Sequence, residues 1–321
     1  MGRRKKGQKI DGWVNLYKPE GITSTQAVGK VRRIFDAQKA GHAGTLDPLA
    51  EGILPIALGE ATKTIPFTQD RLKTYRFTVT WGEARDTDDR EGDVIETSEL
   101  RPAREAIEAV LPDFTGEIEQ TPPRFSAVKI DGERAYDLAR DGEEFEIKTR
   151  IVYVETLKLI DTDDDTAQFE MLCGKGTYVR SIARDMGKML GTCGYVSKLE
   201  RLSVGPFSTQ NAIFLEKLEE MDHNTARNSA LLPIETPLDD IPALNLKQQE
   251  TTRVKNGNDV AFIAKPDFQR LSDAGIEDQD IALAVFEDAP VALVERDGPH
   301  IKPVRVFNLN KGKDDVVECR K

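Results

Sequence analysis

The chain has 321 residues, room for about two ordinary domains, and no apolar run approaches the ~18 residues a membrane helix needs. Its net charge of −11 does not exclude a nucleic-acid partner, because phosphate binding follows the local field of a patch. Residues 1–63 hold 11 Lys+Arg against 6 Asp+Glu, residues 86–170 hold 10 against 25, and residues 171–202 are basic again.

MGRRKKGQKI is basic, but DGWVNLYKPEG follows it where a secretory signal would be apolar, and Lys6 stands where a myristoylation site needs Ser or Thr. WVNLY is a short apolar stretch closed by a KPEG turn. ITSTQAVGKVRRIF predicts a helix with Ser24 or Thr25 as N-cap, Val28, Val31, Ile34 and Phe35 at helical spacing, and a rim of Lys30, Arg32 and Arg33. Residues 48–60 suggest a second short helix bounded by Pro48 and Gly59. YRFTVTWG (75–82) alternates as a strand, and ARDTDDREGDVI after it reads as an acidic, turn-rich loop. LRPAREAIEAVLPDF predicts a helix ended by Pro112, and residues 115–160 read as strands and turns. DTDDD is a hairpin tip before the strand QFEMLC, GKGTYVRSIARDMGKMLG a glycine turn leading into a helix, and YVSKLERLSVGPF a basic-apolar segment. Residues 220–245 look like a linker. Beyond them LNLKQQETTRVKNGNDVAF, IALAVFEDAPVALVERDG and HIKPVRVFNL read as short strands, interrupted by LSDAGIEDQD. The prediction is an α+β chain with a mostly β tail.

Phosphate-loop and dinucleotide fingerprints are absent, and His223 and His300 stand in the linker and the tail, a poor basis for a Ser/His/Asp hydrolase. Cys173, Cys193 and Cys319 are odd in number and without a CxxC pair, which suits a reducing cytoplasm and no structural zinc. No cluster has metal spacing, so the expectation is chemistry by side chains alone. Asp47, in GHAGTLDPLAEGILPIALGEATK (41–63), is the sharpest candidate. An aspartate before proline commonly caps a helix or starts a turn. Yet this one is bracketed by Gly41 and Gly44 and flanked by apolar residues, a setting suited to a nucleophile or general base. A carboxylate there needs a cation, and Arg180 in GTYVRSIARD, behind Tyr178, is the candidate. Tyr75 is either a core aromatic or a platform for a planar base. Lys18, Lys30, Arg32, Arg33 and His42 share one basic region suited to phosphates, although a single lysine is ordinarily a solvated charge.

Together these segments resemble the TruB-type tRNA pseudouridine synthases, over roughly residues 11–215. KPEGITS (18–24) is similar to that family's KPxGxTS segment, and residues 41–63 to its catalytic signature. KTYRFTVTWGEARDTDDREG, TPPRFSAVKIDGERAYDLARDG, CGKGTYVRSIARDMG and LERLSVGPF resemble four further blocks. The resemblance implies a mixed, mainly antiparallel sheet with flanking helices as catalytic domain (1–235), followed by a small β-rich PUA-like RNA-binding domain (241–321). It implies a cofactor-free isomerase acting on uridine 55 in the T-loop of tRNA, a cytoplasmic monomer needing no protein partner or membrane. In it Asp47 is the nucleophile, Arg180 its ion-pair partner and Tyr75 a stacking residue that helps proton transfer. His42 holds the base flipped, Leu199 borders it, and Tyr178, Lys18 and Lys63 contribute to the site or its RNA contacts. Two other readings stay open: a tRNA folding chaperone independent of catalysis, and a guide-RNA-dependent synthase.

Overall fold

A computed structural model describes residues 7–130 and 132–309. The basic stretch before Gly7, Asp131 and Cys319 lie outside the described residues. Among these, ten strands form one sheet: β1 (Gly12–Lys18), β2 (Ala40–His42), β3 (Glu51–Leu58), β4 (Lys73–Trp81), β5 (Gly116–Gln120), β6 (Arg150–Thr162), β7 (Thr166–Cys173), β8 (Gly194–Val204), β9 (Phe207–Ser208) and β10 (Ile213–Phe214). The spatial order is β10-β1-β3-β8-β4-β7-β6-β5, with β2 paired to β3 and β9 to β8. Only β10 with β1 and β3 with β8 run parallel. The sheet is thus mixed and mainly antiparallel.

The apolar alternation of β4 and β7 explains their place at the centre. Phe77 and Phe169 face each other in register and stack with centroids 5.3 Å apart, both fully buried. Each such side chain contributes about 2–3 kcal/mol by leaving water. Helix α1 (Ser24–Ile34) and helix α2 (Val179–Met189) supply Ala27, Val31, Ile182 and Met186 to the same core.

Three local expectations need correction. Residues 48–60 do not form a helix: Asp47–Ala50 is a turn, then the chain enters β3. The run ILPIAL is apolar on both faces, as a strand buried on both sides must be, whereas a surface helix would show one polar stripe. The N-cap of α1 is Thr23, which forms a capping box with Gln26, so Ser24 is left free for another task. Residues 220–245 are not a loose linker. Asp222 caps a helix at His223–Ala230, and Leu232 exchanges both backbone hydrogen bonds with Trp13.

The tail carries a five-stranded sheet built from Ala243–Asn245, Val260–Ala261, Ile281–Phe286, Ala289–Asp297 and His300–Val306. Part of LNLKQQETTRVKNGNDVAF is helical rather than extended, at Gln248–Lys255, where the Glu250 side chain accepts from the Lys247 N–H. LSDAGIEDQD does interrupt the strands, as the end of a helix at Lys265–Asp273 and the turn behind it. Trp13, Ile53 and Phe207 of the first sheet form one buried cluster with Ile234, Leu293 and Phe307.

Candidate active site

The turn at Asp47 lines a cleft of about 580 Å³ whose walls include Tyr75, Leu199, Tyr178 and His42. KPEGITS braces this turn from behind. Ser24 Oγ accepts from the Leu46 N–H at 2.8 Å and donates to the Leu46 carbonyl at 2.9 Å, and the Gly21 N–H donates to the Pro48 carbonyl at 2.8 Å. Gly44 sits at φ +116°, a conformation that a side chain would strain.

Arg180 projects from the first turn of α2 and is 4% exposed. One terminal nitrogen lies 2.9 Å from the Asp47 carboxylate and donates to the Phe125 carbonyl, also at 2.9 Å. The other donates to the Thr87 carbonyl at 2.9 Å and lies 3.3 Å from Asp89. A guanidinium fork held by two carbonyls and two carboxylates has one orientation, and that orientation aims Asp47. The expected Asp47–Arg180 pair is therefore present in the geometry, but with a third member.

Asp89 was not foreseen, and neither was Arg201. Asp89 is 2% exposed; burial pushes its carboxyl above the usual range, opposed by Thr87 and Arg180. The ARDTDD run looks like a solvated acidic turn because nothing in its residue types tells a buried aspartate from an exposed one. Arg201, 1% exposed, donates to the carbonyls of Ile53 (2.7 Å), Thr45 (3.4 Å) and Gly44 (3.1 Å), so it fixes the backbone on both sides of the Asp47 turn. One signal did exist: strand alternation in KLERLSV puts Arg201 on the same face as Leu199. Arg201 is also in register with Tyr75. Burial pushes the Tyr75 phenol up, against the opposing guanidinium of Arg201. Burial, then Arg201, lowers the pKa of His42, which favours its neutral ring.

Lys18 and Lys63 are both held by main-chain carbonyls. Lys18 is fully buried, and its ammonium donates to the Pro19 and Ile22 carbonyls at 2.9 Å each. Burial lowers it to about 8, with Asp47 opposing. Lys63 lies away from the cleft, pairing with Glu60 at 2.6 Å and donating to the Val306 carbonyl of the tail at 2.6 Å. Tyr178 lines the cleft with its backbone locked to the Gln120 amide by two hydrogen bonds, of 2.8 and 3.1 Å.

Lys18 carries a pH signature. Its folded value of about 8 lies below the ordinary 10.5, so between these values the unfolded chain holds more protons and stability rises with pH. Lys18→Met removes that increment. Its gain in urea midpoint between pH 8 and pH 10 is expected to be smaller than that of the wild type. Equal gains would show that this buried ammonium is not the source.

Comparison with known proteins gives the family. The profile of the TruB family pseudouridylate synthase N-terminal domain matches residues 32–179, and that of the tRNA pseudouridylate synthase B C-terminal domain matches residues 180–239. The chain is 52% identical over 310 residues to tRNA pseudouridine synthase B of Caulobacter vibrioides, covering 96% of this chain and 100% of that protein. It is 53% identical over 312 residues to the protein of the same name from Bradyrhizobium diazoefficiens, covering 95% and 88%. Among solved structures it resembles a chain of a Cbf5-Nop10-Gar1 complex, with TM-score 0.68 and 26% identity over 92% of this chain and 84% of the other. Sequence, fold and the carboxylate cleft converge: the chain belongs to the TruB family of tRNA pseudouridine synthases, which are isomerases.

Proposed function

We propose that this protein converts uridine 55 in the T-loop of tRNA to pseudouridine, with Asp47 as nucleophile and without a cofactor. The observation that carries the reading is the Asp47–Arg180 contact of 2.9 Å in a cleft walled by Tyr75 and Leu199. The reaction breaks the N1–C1′ bond, turns the uracil and joins C5 to C1′; C5 loses a proton and N1 gains one, with no net redox change. Attack at C6 of the base, attack at C1′ of the ribose, and a glycal path all start from the same ionised carboxylate. The target must leave its stack to enter the cleft. Tyr75 then lies against the uracil and helps move the proton, Leu199 borders the ring, and the neutral His42 packs where the base has left. Residues 1–235 are read as the catalytic domain and 241–321 as a PUA-like RNA-binding unit.

The test incubates unmodified tRNA with the purified chain and maps pseudouridine by carbodiimide-dependent reverse-transcription stops. A stop at the T-loop uridine is the expected result, and its absence would sink the reading. Turnover on bare tRNA would also exclude the alternative of a guide-dependent synthase.

A further inference from the structure

Beside the active-site cleft lies a second, more open hollow of about 540 Å³. The two share Gly44, Lys73 and Gly176. Gly44 and Gly176 both have positive φ, at +116° and +84°, so the saddle between the hollows carries no side chain at these two positions. Three cations, Lys73, Arg150 and Lys175, line the second hollow against one carboxylate, Asp70. That balance is unusual in a chain of net charge −11.

Each cation is differently held. The Lys73 ammonium donates to the Gln69 and Arg71 carbonyls at 2.6 Å each, which leaves its third proton for another acceptor. Arg150 donates to the Gly176 carbonyl and lies 4.9 Å over the ring of Tyr178, whose backbone opens the helix that carries Arg180. Lys175 is 72% exposed and pairs with Asp70 at 2.7 Å. Such a pair in solvent is weak, so a phosphate can take the lysine over. On the rim Ile151 exposes 68% of its surface, an apolar platform next to three charges.

We propose that this hollow seats the phosphodiester adjoining the target uridine, with the sugar-phosphate chain crossing the Gly44–Gly176 saddle and Ile151 packing against the neighbouring nucleotide. This rests on the reading of the protein as a T-loop synthase, because a base placed in the first cleft remains tied to its chain. Glycines at the saddle let that chain pass close to protein backbone, and cations beyond it meet the next negative charge. Lys73, which lines both hollows, marks the continuity between them.

The test measures equilibrium binding of a T-stem-loop RNA to the full chain, as wild type, Lys175→Ala and Asp70→Asn. Lys175→Ala is expected to weaken binding roughly two- to fivefold and to reduce the salt slope by about one. Asp70→Asn is expected to tighten binding, because it removes the carboxylate that competes with phosphate. A pair serving only structure would move both variants the same way, and that outcome overturns the proposal. A second arm replaces each phosphate flanking the target, one at a time, by an uncharged methylphosphonate. At one position the neutral linkage should weaken wild type by the same factor and leave Lys175→Ala unchanged. Equal losses in both proteins at every position would also overturn it. Pseudouridine formation by wild type in the same samples reports separately: its absence alongside intact coupling counts against the T-loop reading alone.

Discussion

Asp47→Asn is expected to lower turnover on unmodified tRNA by about four orders of magnitude or more, while RNA affinity stays near that of wild type. The change removes the charge of the proposed nucleophile and keeps the shape, and loss of a single covalent catalyst commonly has effects of this size. The turn should survive, because Ser24, Gly21 and Arg201 bind its backbone rather than its carboxylate. Quenched-flow turnover and filter binding check the two halves. Near-normal turnover would remove Asp47 from the nucleophile role, and a collapse of affinity would mean that the residue serves binding.

The second large effect falls on Arg180. Arg180→Met leaves two carboxylates, Asp47 and Asp89, and two carbonyls, Thr87 and Phe125, without their shared donor. Removing one partner from a buried charge network costs about 3–5 kcal/mol, so the urea unfolding transition should fall by that amount along with activity. Arg180→Lys keeps the charge but not the fork, and should retain more stability than activity. Adding Asp89→Asn to Arg180→Met should return part of the lost stability, because it removes one orphaned charge. A double variant no more stable than Arg180→Met would show that Asp89 is not coupled to the arginine.

Much of this site could be read from the sequence because its parts sit in distinctive local settings. Asp47 stands among glycines and apolar residues, and Arg180 follows a glycine turn into a helix. Tyr75 opens an alternating strand. What escaped notice depends on contacts made at long range. Asp89 is separated from Arg180 by 91 residues of chain, and nothing local marks it as buried. The burial of Lys18 follows from carbonyls of the turn beside it, which KPEG does not announce. Lys63 faces the tail because its partner carbonyl is 243 residues away. The β3 strand is hidden for a different reason: Pro48 and Gly59 are helix punctuation, and the apolar run between them fits either element until both faces are seen to be covered.

The grip of Arg201 on the Asp47 turn also bears on how the protein comes into being. Its three hydrogen bonds span 148 to 157 residues, so each closes a loop of about half the chain. Contacts of such separation cost the most chain entropy and form late. During synthesis the Asp47 turn therefore emerges early but keeps an unset shape until β8 has followed and docked between β3 and β4. The aim of Asp47 is set with the closing of the sheet, so an incomplete chain carries the aspartate without the contacts that orient it.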